Sequence, residues 1–132
     1  MIRPETLAKA LREIEKGYAQ YQYFFDTRNS PAWLEPLSEN GFFKNPPAPV
    51  RDGQYISFPP WPESRYLVRM ARSPEAQETV LRIALAIPAT ENSRVHDDLA
   101  DIALSLPPQQ SARLVPQISA AITNSVMHLL AE

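Results

Sequence analysis

The residues best suited to chemistry gather in one run, His96-Asp97-Asp98, followed by Asp101. On a helix, Asp97 and Asp101 stand one turn apart and Asp98 stands three residues from Asp101, so carboxylates at that spacing could share one ion. A neutral imidazole beside a carboxylate also suits a transition metal or general acid–base work. The spacing matches no established metal or catalytic set, and on a helix His96 points away from Asp97. Acids at a helix start are expected from the dipole alone. The run is therefore read as a solvated helix opening, with no metal and no catalytic residue assigned.

A second cluster is cationic. Arg65, Arg69 and Arg72 recur at one-turn spacing, with Arg82 and Arg51 elsewhere in the chain. Arginines so placed can grip successive phosphates, and Tyr66 or Trp61 could stack on a base. The competing expectation is a solvated face paired with the interleaved Glu63, Glu75 and Glu78.

The third cluster is aromatic. Tyr18, Tyr21, Tyr23, Phe24 and Phe25 could line a ligand pocket, but their helical spacing reads as core. Trp61 stands between Pro60 and Pro62. It either plugs the helices from a loop or stands outward as an anchor for a partner, and the plug is favoured. Scattered glycines form no phosphate-binding loop or dinucleotide fingerprint. His96 and His128 have no serine elbow or cysteine nucleophile near them in sequence.

The elements that must position these groups are helices. Leu7, Leu11, Ile14, Tyr18, Tyr21 and Phe25 share one stripe, which predicts a helix from Pro4 to Phe25 with a weak point at Gly17. Ser30 caps a short helix, with Pro31 at its first position and Gly41 just past its end, and Pro36 should kink it or force a 3₁₀ first turn. Between Phe42 and Pro62 the prolines at 46, 47, 49, 59, 60 and 62 forbid a long helix or a central strand. Arg51 to Gln54 reads as a turn and Tyr55 to Phe58 as a brief extended piece. The aromatics there predict an ordered loop packed on the helices, because a flexible linker would be polar.

Helices are then predicted from Pro62 to Ala71, from Ser73 to Pro88, and from Asn92 or Ser93 to Leu106. The second has a broad apolar arc and is expected to be a central, two-sided helix. The third carries Val95, Leu99, Ile102 and Leu106 at four-three-four spacing. A last helix follows Pro107-Pro108, with Leu114, Ile118, Ile122, Val126 and Leu129 as its stripe and a bend imposed near Ala112 by Pro116.

Composition sets the frame. The chain has 132 residues, a net charge of −2, no cysteine, and 14 prolines against 3 glycines. It is long enough for one domain with its own core. Absent cysteine excludes disulfides and fits a reducing cytoplasm. The charged amphipathic start is no signal peptide, and no run of about 18 apolar residues would span a membrane.

One phrase recurs. Ile83-Ala84-Leu85-Ala86-Ile87-Pro88 returns as Ile102-Ala103-Leu104-Ser105-Leu106-Pro107, nineteen residues later. A helix and its turn take about twenty residues, so paired units repeat at roughly forty, the period of HEAT and armadillo arrays. From Arg72 onward the chain resembles HEAT-like repeats, and the resemblance implies a scaffold that binds proteins or nucleic acids, commonly as part of a larger protein. It carries no functional residues over.

The expectation is thus a single all-α domain, 1–132, of antiparallel helical hairpins stacked as a short solenoid or an irregular bundle. Its parts are N-terminal helices over 1–41, a Pro-rich aromatic loop over 42–61, and HEAT-like helices over 62–132. The function expected is a non-catalytic interaction module, an N-terminal part of a larger bacterial-type protein, needing no cofactor. Phe58, Trp61, Arg65, Arg69 and Arg72 are the expected contact residues. The alternative is a nucleic-acid-binding domain using the arginine face. The apolar end of the last helix, Val126 to Leu130, should be covered by a protein partner or a second copy.

Overall fold

The computed structural model describes residues 1–119. It is an all-α bundle with a small β-hairpin, and its α-helices run α1 Pro4–Glu15, α2 Tyr18–Thr27, α3 Leu34–Glu39, α4 Pro62–Met70, α5 Gln77–Leu85, α6 Ser93–Ser105 and α7 Pro108–Ser111. Residues 115–119 are again helical. No described helix is long and apolar enough to cross a membrane. Most of the stripe Ile122, Val126 and Leu129, the apolar end Val126 to Leu130 and His128 lie outside the described residues.

The helix expected from Pro4 to Phe25 is two helices. The chain leaves helical geometry at Lys16-Gly17, where Gly17 is extended, and α2 packs back on α1. The break also divides the stripe: Ile14 and Phe25 are buried, whereas Tyr18 is 62% exposed. Gly17 supplied the weak point, and burying α1 against α2 supplied the reason to use it.

Local grammar explains most other boundaries. Ser30 Oγ accepts from the Ala32 N–H, and Pro31 opens a 3₁₀ turn, Pro31–Trp33, that runs into α3. The 3₁₀ start is what Pro36 demands, since it cannot donate to a carbonyl one α-turn back. Gly41 ends the helix at φ 79°, the left-handed value glycine adopts without penalty. Pro108 opens α7, and a 3₁₀ turn, Ala112–Leu114, forms where Pro116 was expected to bend the chain. The helix expected from Ser73 opens instead as a 3₁₀ turn, Pro74–Ala76, that leads into α5, and Ser73 does not cap a backbone N–H; its hydroxyl bonds Glu75.

The most enclosed helix is α4. Pro62, Glu63, Ser64, Tyr66, Leu67, Val68 and Met70 are all buried in α4, which packs on α2, α5 and α6. Each of its fully buried apolar side chains contributes about 1.5–3 kcal/mol of transfer free energy. The broad apolar arc of α5 is covered as expected: Val80, Leu81, Ile83 and Ala84 are buried, Leu85 is partly buried, and the helix packs on α3, α4 and α7.

The repeated phrases serve matching roles. Ile83, Ala84 and Ile87 are buried, as are Ile102 and Leu106, while Leu104 is 84% exposed. Side-chain amides tie their ends to neighbours: Gln77 Nε2 donates to Ala71 O (3.0 Å) and Ser105 O (3.2 Å), and Gln117 Nε2 donates to Leu85 O (3.1 Å). Val95, Leu99, Ile102 and Leu106 are all buried, as their spacing predicted.

Candidate functional site: two clefts and a tethered hairpin

Three features stand out on the bundle. The first is the segment between α3 and α4. Val50–Asp52 and Tyr55–Ser57 pair antiparallel as β1 and β2, closed by Gly53-Gln54 with Gly53 at φ 61°. A positive φ at the first loop residue alone matches the II′ hairpin turn. Only the second strand was expected to be extended; the first is recruited by that turn. At the base of the segment Phe43 is buried and Trp61 is 2% exposed, so Trp61 is the plug. Phe42 packs tilted against Phe25 at 5.6 Å between centroids, and Phe58 is half-buried.

Asn92 locks this segment down. It is fully buried; its Oδ1 accepts from the Arg94 N–H at 2.9 Å, capping α6. Its Nδ2 donates to Pro47 O at 3.0 Å and Pro59 O at 2.8 Å, so one side chain holds both ends of the hairpin arm. The arm's tip is different. Val50 is 53% and Tyr55 is 82% exposed. With Asp52 opposite Tyr55 and Val50 opposite Ser57, both project from one face of the hairpin.

The second feature is a polar cleft of about 590 Å³ lined by Asp26, Arg65, Arg94, Asp97, Asp98 and Asp101. The acid run does not act together here. Asp98 is buried, accepting from Ser64 Oγ at 2.5 Å and Arg65 Nη1 at 3.1 Å, whereas Asp97 and Asp101 are exposed. Burial pushes the Asp98 carboxyl up, with the Ser64 and Arg65 bonds pulling against it. His96 faces the Thr90 carbonyl, its Nε2 at 2.6 Å. A carbonyl only accepts, so Nε2 carries the proton and His96 braces the turn before α6. Among the described residues no group of three or more His, Asp or Glu is placed to hold a metal ion.

The arginines likewise separate. Arg65 is paired to Asp98, and Arg69 donates to Phe25 O and, at 3.1 Å, to Arg28 O. Those carbonyls end α2 and have no partner within the helix, so Arg69 acts as its C-terminal cap. Burial lowers the Arg69 pKa. Arg72 is exposed. The expected pairing of this face with Glu63, Glu75 and Glu78 does not form. Glu63 is buried and accepts from the Tyr21 hydroxyl; Glu78 accepts from Gln110 at 2.9 Å; Glu75 bonds Ser73. Arg82 instead pairs with Glu35 across α5 and α3. Side-chain reach along one helix allowed the first set, but packing turned Glu63 inward toward α2. Burial pushes the Glu63 carboxyl up, opposed by Tyr21, its own N–H and Trp61; burial, and then the Glu63 carboxylate beside it, raises the Tyr21 hydroxyl.

The third feature is a pocket partly walled by the aromatic run whose spacing reads as core. Between α1 and α2 lies a groove of about 450 Å³ whose wall includes Ala10, Ala19, Tyr23, Phe24 and Trp33. Phe24 packs edge-on against Phe25 and Trp33, both at 5.2 Å, so the aromatic run is core on one side and groove wall on the other. The signal for it was Tyr23 lying off the stripe; what could not be read was that α1 folds back.

No protein-family model, no curated protein and no solved structure matches this chain.

Proposed function

We propose that this chain is a non-catalytic protein-interaction module whose contact surface is the hairpin arm between α3 and α4. One observation carries the reading: the arm is locked at its base by Asn92 and Trp61 yet exposes Val50 and Tyr55 at its tip. Two-stranded hairpins are marginal in water, and apolar groups held outward on a rigid base suit a partner protein that covers them. The polar groups that might have done chemistry support the same reading, since Asp98, His96, Arg69 and Glu63 each bond within the fold. The HEAT-like resemblance points the same way. The nucleic-acid alternative has less behind it, because Arg65 and Arg69 are engaged and acids surround Arg65 in its cleft.

The test is affinity purification from the native cells with wild type, Arg72→Ala, and the double variant Val50→Ser/Tyr55→Ser. The reading expects a stoichiometric protein retained by wild type and Arg72→Ala, lost on the hairpin variant, and indifferent to nuclease. Retention that ignores the hairpin, or release by nuclease, overturns it.

A further inference from the structure

The groove between α1 and α2 is independent of the hairpin arm, and its chemistry specifies a ligand. Its floor and walls are apolar, from Ala10, Phe24, Trp33 and Tyr23, and its volume of about 450 Å³ falls in the range of small-molecule sites. One strong polar group enters it. The Arg28 guanidinium lies 4.4 Å from the Phe24 ring centre and 5.5 Å from that of Trp33. Arg28 is fixed from below, because its carbonyl accepts from Arg69 of α4. Its Nε is buried and has no hydrogen-bond partner among the described residues. Lys9 stands on the rim; Glu13, also on the rim, is engaged by Lys16 at 2.5 Å, which holds its carboxyl below the usual range.

We propose that this groove binds a small monocarboxylate with an aromatic or aliphatic body. The body lies against Phe24 and Trp33, and the carboxylate meets Arg28, with Lys9 adding positive charge. A guanidinium already ordered on two rings loses little freedom on pairing, and its planar fork matches a carboxylate. The surrounding charge selects against cations, and a neutral body forgoes the charge-assisted bond to the guanidinium.

The probes are 4-phenylbutyrate and its amide, titrated into the full chain and followed by Trp fluorescence and by methyl NMR of Ala10 and Ala19. The acid should bind saturably, shift those methyls, and bind about tenfold or more tightly than the amide, the gain expected of a charge-assisted bond. Arg28→Met should shrink the acid's advantage over the amide to the small factor Lys9 supplies, and Lys9→Gln should weaken the acid alone by that smaller factor. The acid and amide comparison on wild type stands even if Arg28→Met folds poorly. Equal binding of the two probes, shifts confined to residues outside the groove, or no saturation by millimolar acid would overturn the proposal.

Discussion

Two clefts hold the same cation in opposite circumstances. In the polar cleft beside α6, of about 590 Å³, Arg65 is bound to a buried aspartate, and that aspartate is bound again by Ser64. In the apolar groove between α1 and α2, of about 450 Å³, Arg28 rests on two aromatic rings with its Nε unpartnered among the described residues. The first arginine joins two helices. The second is positioned but uncommitted. Charge and spacing in the sequence drew attention to the wrong one, because a run of acids and a ladder of arginines look like chemistry, whereas a buried group already satisfied has little left to offer a ligand.

Arginine substitutions should rank by this distinction. Arg69→Ala should cost the most, about 2 kcal/mol or somewhat more in urea unfolding, because it strips the partner from the Phe25 and Arg28 carbonyls that end α2. It should also loosen Arg28, so acid binding in the groove falls with it. A loss no larger than that of a surface change would break the view that Arg69 is a cap.

The acidic groups give a pH dependence with a definite sign. Burial raises both Glu63 and Asp98 in the folded state, so the native protein holds these protons more tightly than the unfolded chain. Their contribution is full below the unfolded carboxylate values near 4 and is lost as pH climbs through the raised folded values. Glu13 and Glu75 are lowered and act oppositely, at the acid end of the range. The urea midpoint, followed upward from about pH 4, should therefore fall more in wild type than in Glu63→Gln/Asp98→Asn. Parallel curves would show that the two carboxyls are not the source.

Smaller effects sharpen the contrast. Arg65→Ala should cost about 1 kcal/mol, since its side chain is 54% exposed although its partner Asp98 is buried. Arg82→Ala should cost about 0.5 kcal/mol or less, because both members of its pair are more than half exposed. If Arg82 mattered as much as Arg65, burial of the acid would not be what distinguishes them.

Much of the fold was legible because helix grammar is local. Ser30-Pro31, Gly41, Pro62, Asn92 and Pro108 each mark a boundary through backbone chemistry confined to one turn, and the structure puts boundaries there. What was illegible depended on distant partners. Nothing near Gly17 says that α1 would rather lie on α2 than continue it. Asn92 was readable as a cap, but its two donors serve carbonyls 45 and 33 residues away. Arg28 belongs to none of the clusters visible in the sequence, and only the return of α1 makes a groove for it to enter. The candidate sites suffered most, since whether a charge is spent or spare is decided entirely by those long-range contacts.

Native-state hydrogen exchange tests most directly the claim on which the rest stands, that α4 organises the molecule. The amides of Arg65 and Ala71, bonded to Trp61 O and Leu67 O, bracket that helix. They and the amides between them should exchange only by global unfolding, while amides of α1 and the hairpin arm open at lower free energy. If α5 or α6 keeps its protection while α4 opens locally, α4 is a guest in the bundle and not its centre.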